Sequence, residues 1–312
     1  MRHSGGVSET WPSPPIPTPS LVLRGRRFDA GHPAVMGIVN RTPDSFYAAA
    51  RYTDLGPGLA AVDRLVAEGA DLIDVGGVRA GQEGEEVGPA QEIERVRPFL
   101  LAVRERHPSL LLSLDTWRAE VATACADAGI DLVNDTWAGA DPELVAVAAE
   151  LGAGYVVSHT GGLPPRTDPV DISYGPDPDD VVRDVLAVLA GGAARAVAAG
   201  VPAERVLVDP TLDFGKTTRN SLRVLAATGA IAGLGHPVLQ ALSRKDFVGE
   251  TLDLPVDQRL FGTLAATAVA AWLGTVVFRA HDVAATRQVA DMVASLRGDR
   301  APAVAVRGEP RA

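Results

Sequence analysis

The chain has 312 residues, 46% of them hydrophobic and 22% charged, enough length and apolar content for one large soluble domain. A formal charge of −10 excludes a general nucleic-acid binder, because phosphate binding needs a basic field, so any anion site must be local. One cysteine, Cys125, excludes an intramolecular disulfide and a thiolate metal cage, and its place among alanines in a helical pattern reads as a small buried apolar residue.

Residues 1–30 are rich in Pro, Ser and Gly and hold no apolar run like a signal-peptide core, which predicts a flexible lead-in and a cytoplasmic chain. Nowhere do about twenty apolar residues run uninterrupted, so no membrane span is expected. Residues 31–300 are expected to form the folded domain and residues 301–312 a flexible tail.

From Ala34 short apolar runs alternate with longer segments of helical periodicity, the pattern of repeated βα units. The strand candidates are Ala34 to Val39, Leu72 to Val75, Leu110 to Leu114 and Leu132 to Val133, then Tyr155 to Val157, Val206 to Val208, Val238 to Leu242 and Val276 to Phe278. Helices are predicted at Leu59 to Glu68, Pro89 to Arg106, Arg118 to Ala128 and Leu144 to Leu151. Further ones are expected at Val181 to Ala199, Asn220 to Ala227, Gln258 to Leu273 and Val283 to Leu296. Eight parallel strands over about 250 residues favour a (β/α)₈ TIM barrel, with a doubly wound open sheet as the alternative.

Each strand candidate is followed by polar groups: Asn40, Asp74, Ser113 to Asp115, Asn134-Asp135, Ser158-His159, Asp209, Ser243-Arg244-Lys245, and Arg279 with His281-Asp282. In a barrel those ends share one mouth. Asp115, Asn134 and Asp209 supply acceptors and an amide suited to the donor-rich edge of a flat heterocycle. Lys245, Arg279 and His281 read as a place for a phosphate, diphosphate or carboxylate; the alternative for Lys245 and Arg279 is an ion pair with Asp74 or Asp282.

The segment MGIVNRTPDSF, Met36 to Phe46, resembles the first signature of the dihydropteroate synthase family. DLIDVGG (Asp71 to Gly77), SLDTWR (Ser113 to Arg118), VNDTWAG (Val133 to Gly139), DPTLDFGKT (Asp209 to Thr217), SRKDFVGE (Ser243 to Glu250) and RAHDV (Arg279 to Val283) follow in the family's order. The resemblance runs from about Val35 to Leu296. It implies condensation of a hydroxymethyl-dihydropterin diphosphate with para-aminobenzoate and release of diphosphate. Asp115, Asn134, Asp209 and Lys245 would then hold the pterin, Ser243 the aminobenzoate carboxylate, and Asn40, Arg279 and His281 the diphosphate. Asn40 would also ligate Mg²⁺, Asp44 and Phe46 would belong to a lid over the mouth, and the protein would be a homodimer through its last helices. The implied mechanism is dissociative: Arg279 and His281 hold the departing charge while Asp74 and Asp115 tolerate a cationic pterin. Thr42 to Phe46 read without the family would be an ordinary turn.

After the second strand the family usually has Gly-Gly-Glu-Ser-Thr-Arg-Pro-Gly, whereas this chain has Gly76-Gly77-Val78-Arg79-Ala80-Gly81-Gln82-Glu83. A hydroxyl and a guanidinium are missing in register, and Arg79 lies two positions early. Arg41 replaces an aliphatic residue, Tyr47 to Arg51 replace a polar turn, and Asp213 interrupts the usual glycines. Three readings follow: a synthase with rearranged loops, an inactive or weakly active paralogue that binds a pterin without turnover, and a methyltetrahydrofolate-dependent corrinoid methyltransferase. The Ser-Arg-Lys and Arg-x-His signatures argue against the last.

Overall fold

The predicted strands are apolar on both faces and therefore need cover on both. In the computed structural model, which describes residues 18–41, 55–79, 86–167 and 172–307, closure of the sheet meets that need. Strands β3 (Ala34–Asn40), β4 (Leu72–Gly76), β5 (Leu111–Asp115), β6 (Leu132–Asn134), β7 (Gly154–Ser158), β8 (Val206–Asp209), β9 (Val238–Ala241) and β10 (Thr275–Ala280) form a closed parallel barrel, β10 pairing with β3. Around it lie α1 (Gly56–Ala67), α2 (Pro89–Arg106), α3 (Ala119–Ala124), α4 (Leu144–Glu150) and α5 (Asp180–Ala198). The ring is completed by α6 (Thr218–Ala226), α7 (Thr228–Ala232), α8 (Asp246–Leu252), α9 (Leu260–Trp272) and α10 (Val283–Leu296). The fold is the (β/α)₈ barrel expected from the alternation of elements. No helix of the described residues is long and apolar enough to cross a membrane.

Alternation along each strand sorts its side chains. Outward residues such as Val35, Ile73, Val75 and Leu112 join the helices in the outer core, while Met36, Leu72, Leu111, Leu132 and Leu207 pack inside the barrel. Two positions further along the same inward rows come Asp74, Ser113, Asn134 and Asp209, and two further again Gly76 and Asp115. The interior is thus oily below and polar above, a gradient set by period two in the sequence.

Residues 1–30 are not all lead-in: β1 (Leu21–Leu23) and β2 (Arg26–Phe28) form an antiparallel hairpin. Leu21, Leu23 and Phe28 are buried with Leu72, Leu111 and Leu132 and close the barrel at the end opposite the mouth. Arg24 at φ 46° and Gly25 at φ 74° make the tight two-residue turn that the strand twist favours. The helix predicted over Arg118 to Ala128 is interrupted, α3 giving way to a 3₁₀ turn at Ala126–Ala128 before Gly129 at φ 67°.

Candidate functional site

Arg279, on the inward row of β10, is the centre of the polar layer. Its Nε donates to Asp74 Oδ2 at 2.6 Å and its Nη2 to Asp115 Oδ2 at 2.8 Å. Asp74 has no exposed surface and also accepts from Ser113 Oγ at 2.5 Å and Asn134 Nδ2 at 3.1 Å. With three donors on that carboxylate, Asp74 orients Arg279 and Asn134. The ion pair between Arg279 and Asp74, set there as the alternative to anion binding, exists. Lys245 makes no such pair among the described residues, and Asp282 pairs instead with Arg244 at 2.9 Å.

Asp115 is the titratable member of the cluster. Burial pushes its carboxyl up to about 7; Arg279 opposes the shift and the charge of Asp74 adds to it, while Thr136 Oγ1 donates to Oδ1 at 3.2 Å. Asn134 stands opposite it in the β5–β6 register. With Nδ2 held by Asp74, Asn134 keeps a buried Oδ1 that has no partner among the described residues. A buried acceptor left empty is costly, and it is the group a ring N–H would satisfy.

Asp209 ends β8 with its Oδ1 accepting from Thr211 N at 2.7 Å, and burial raises its pKa. Across from it, Lys245 donates to the carbonyl of Leu212 and holds its ammonium 4.6 Å from the centre of the Phe214 ring, with its pKa lowered by burial. Asp213 positions this lysine. At φ 72° it turns back and accepts from the N–H of Asp246 at 2.7 Å and of Phe247 at 3.2 Å, capping α8, whose N-cap is Lys245. The departure from glycine at 213 is thus a cap that joins two loops of the mouth.

Ser243 and His281 form a second unit at the rim, His281 Nδ1 lying 3.0 Å from Ser243 Oγ. Enclosure by the mouth, then the charges of Arg279 and Arg244, push His281 down to about 4, so its ring is neutral near pH 7 and has a donor or acceptor to offer. Asn40 ends β3 beside Gly76, where a Cβ would lie 3.4 Å from both Asn40 Oδ1 and Asp115 Oδ2. Among the described residues no group of three His, Cys, Asp or Glu side chains could hold a metal.

The sequence reading missed two features of the mouth. Lys216 is buried and donates to the carbonyls of His159 at 2.9 Å, Thr211 at 3.2 Å and Phe214 at 2.8 Å, which ties the segments after β7 and β8 together. Phe214 meets Trp137 edge to face at 5.3 Å, and Trp137 meets Trp117 at 6.5 Å, an aromatic row running from Lys245. Lysine as backbone clamp has no sequence signal; the aromatics lay in motifs quoted for their charged neighbours. Arg41 packs its guanidinium 4.8 Å from the Phe99 ring. Thr42 to Phe46, Tyr47 to Arg51 and Ala80 to Glu83 lie outside the described residues.

A family model described as pterin binding enzyme matches residues 36–281. The chain is 54% identical over 288 residues to a Mycobacterium leprae protein named inactive dihydropteroate synthase 2, covering 92% of this chain and 98% of that one. It is 35% identical over 266 residues to the dihydropteroate synthase of Haemophilus influenzae, covering 85% and 94%. Among solved structures, the Xanthomonas albilineans dihydropteroate synthase with 4-aminobenzoic acid superposes with a TM-score of 0.78 at 34% identity, over 90% of this chain and 98% of that one.

Proposed function

The chain belongs to the pterin-binding enzyme family of the dihydropteroate synthases, and on that premise we propose that it binds a hydroxymethyl-dihydropterin diphosphate without condensing it with para-aminobenzoate at a synthase's rate. One contrast carries the reading. The groups read for the heterocycle come together at the mouth, Asn134 keeping a buried Oδ1 without a partner among the described residues opposite Asp115, whereas the segment after β4 lacks the family's Thr and Arg in register. The relative of 54% identity that is itself named inactive supports the same division.

Asp115, Asn134 and Asp209 would accept the amino and ring N–H groups, and Lys245 would donate to the carbonyl edge over Phe214. Arg279 and neutral His281 would face the diphosphate, with Ser243 toward a carboxylate. Mg²⁺ fits as a cation held mainly by phosphate oxygens: Asn40 and Asp115 bring a carbonyl and a carboxylate oxygen together above side-chain-free Gly76. When bound it would neutralise charge on the diphosphate. A homodimer is our reading of the last helices, where Phe261 of α9 is 83% exposed and Met292 of α10 58%. A single buried thiol, pushed up to about 12 by burial, suits the cytoplasm.

Titration calorimetry with the pterin diphosphate and Mg²⁺, followed by para-aminobenzoate and an assay of released diphosphate, tests the proposal. Saturable binding without release is expected, with affinity weakened about ten- to a hundredfold or more in Asp209→Ala. Rapid release would make the protein a synthase, and no binding would remove the pterin assignment.

A further inference from the structure

On the far side of the barrel wall from the mouth, α4, α5 and the turn after β6 enclose a cavity of about 150 Å³. Tyr155 and Val157 of β7 form its floor, Val145 of α4 and Val188 and Ala196 of α5 its apolar walls, and Asp135 its inner end. The space arises from Gly191-Gly192. A Cβ on Gly192 would collide with Val157 Cγ1, so α5 docks closely there, and neither glycine supplies a side chain to fill the gap beside the contact.

The acidic groups of this cavity are already used. Asp135 accepts from Trp137 N at 3.0 Å, Gly139 N at 2.7 Å and Tyr155 Oη at 2.6 Å, while burial holds its pKa up. Asp141 accepts from Ala119 N at 2.8 Å and Glu143 N at 3.0 Å, and Ser158 Oγ is bonded to Ala138 N at 3.0 Å and to the Asp135 carbonyl. Arg195 differs. It lines the cavity with its guanidinium folded back along α5, Nη1 lying 3.5 Å from a Cβ built on Gly191 and Nη2 3.7 Å from one on Gly192. Among the described residues that guanidinium makes no hydrogen bond or ion pair. A cation at the edge of an apolar space, with every acid in reach already satisfied, selects an anion over an amine.

We propose that this cavity is a second binding site, taking a small monocarboxylate with an aromatic or branched apolar body: the carboxylate on Arg195, the body against Val145, Val157 and Val188. The volume suits it, since a cavity of about this size with aliphatic walls admits a benzene ring. The site stands independently of the pterin reading, because the strand wall separates it from the mouth.

Benzoate is the probe, titrated in ligand-observed NMR against the full-length protein and three variants. Arg195→Gln and Val188→Trp change exposed or half-exposed positions and leave the fold intact; each should weaken benzoate at least about tenfold, the first by removing a charge-assisted contact and the second by filling the space. Ser243→Ala, at the mouth, should leave benzoate binding unchanged. Absence of saturable binding to the unmodified protein, retention in Arg195→Gln or in Val188→Trp, or loss in Ser243→Ala would each overturn the proposal.

Discussion

Asp115 faces two demands that pH separates. As the proposed acceptor for ring N–H groups it would have to be ionised, yet burial, opposed by Arg279 and helped by Asp74, holds its carboxyl at about 7. A ligand that donates to the carboxylate lowers that pKa, so binding releases a proton and strengthens as pH rises through 7. From pH 6 to pH 8 the ionised fraction grows about tenfold, and pterin affinity should grow by a similar factor. Calorimetry at the two pH values checks this, and Asp115→Asn should bind more weakly with the slope gone; an affinity that falls with pH would mean that the protonated acid is the ligand. Asp209→Ala should weaken pterin by ten- to a hundredfold or more, since it leaves a ligand donor unpaired in a buried site, at a cost of roughly 1–3 kcal/mol. At this scale the sequence was legible where polar groups sit at strand ends: Asn134, Asp209, Lys245 and Arg279 follow apolar runs and all reach the mouth. It was illegible for Asp74, whose three donors come from β5, β6 and β10 and only meet in the closed barrel.

Among the elements, α8 shows what a loop departure can do. Asp213 caps its N-terminus from a left-handed conformation, so two effects compete on substitution. Alanine would lose the cap, worth about 1 kcal/mol, and keep the backbone strain; glycine would lose the cap but relieve the strain by roughly 1 kcal/mol. Urea denaturation should therefore place Asp213→Ala about 1 kcal/mol below Asp213→Gly, and both should weaken pterin by releasing Lys245 from its loop. Equal stabilities would show that the turn carries no strain. The hairpin β1–β2 lies at the other end of the barrel. Leu23 is 1% exposed against the inward leucines, and Leu23→Ala should cost about 2–5 kcal/mol by denaturant titration with little change in pterin affinity. This element was not legible because each strand has three residues, too few for a period, and it follows a Pro- and Ser-rich stretch that sets the local composition. Long helices such as α2 and α10 were read to their ends, Pro89 marking one start and the period fixing the other.

For the molecule as a whole, the barrel could be read because eight apolar runs with crossover-length spacers have few other ways to bury both faces of a sheet. Its activity was less legible, because the departures from the family pattern fall in the segments after β3 and β4, Arg41 to Arg51 and Val78 to Glu83, and not in the strands themselves. The division between a retained pocket and an altered rim makes one further prediction. Ala80 and Gly81 stand where the family pattern has Thr and Arg, so Ala80→Thr with Gly81→Arg restores both side chains at their register positions without touching the barrel. A guanidinium on a diphosphate or carboxylate is worth roughly 1.5–3 kcal/mol as a charge-assisted contact, so the double variant should raise aminobenzoate-dependent diphosphate release by about ten- to a hundredfold. Pterin affinity should change little, because Asp115, Asn134, Asp209 and Lys245 are unaltered. The measurement is a coupled diphosphate assay run beside calorimetry on the same preparations. Increased release with unchanged pterin affinity would locate the deficit in the second loop; unchanged pterin affinity with no gain in release would move it to Arg41, the Tyr47 to Arg51 segment or the ion pairs that hold Arg279 to Asp74 and Asp115. Those pairs are the next place to look, since two of the five N–H groups of the Arg279 guanidinium are already given to carboxylates, which fixes the direction in which the rest can meet a diphosphate.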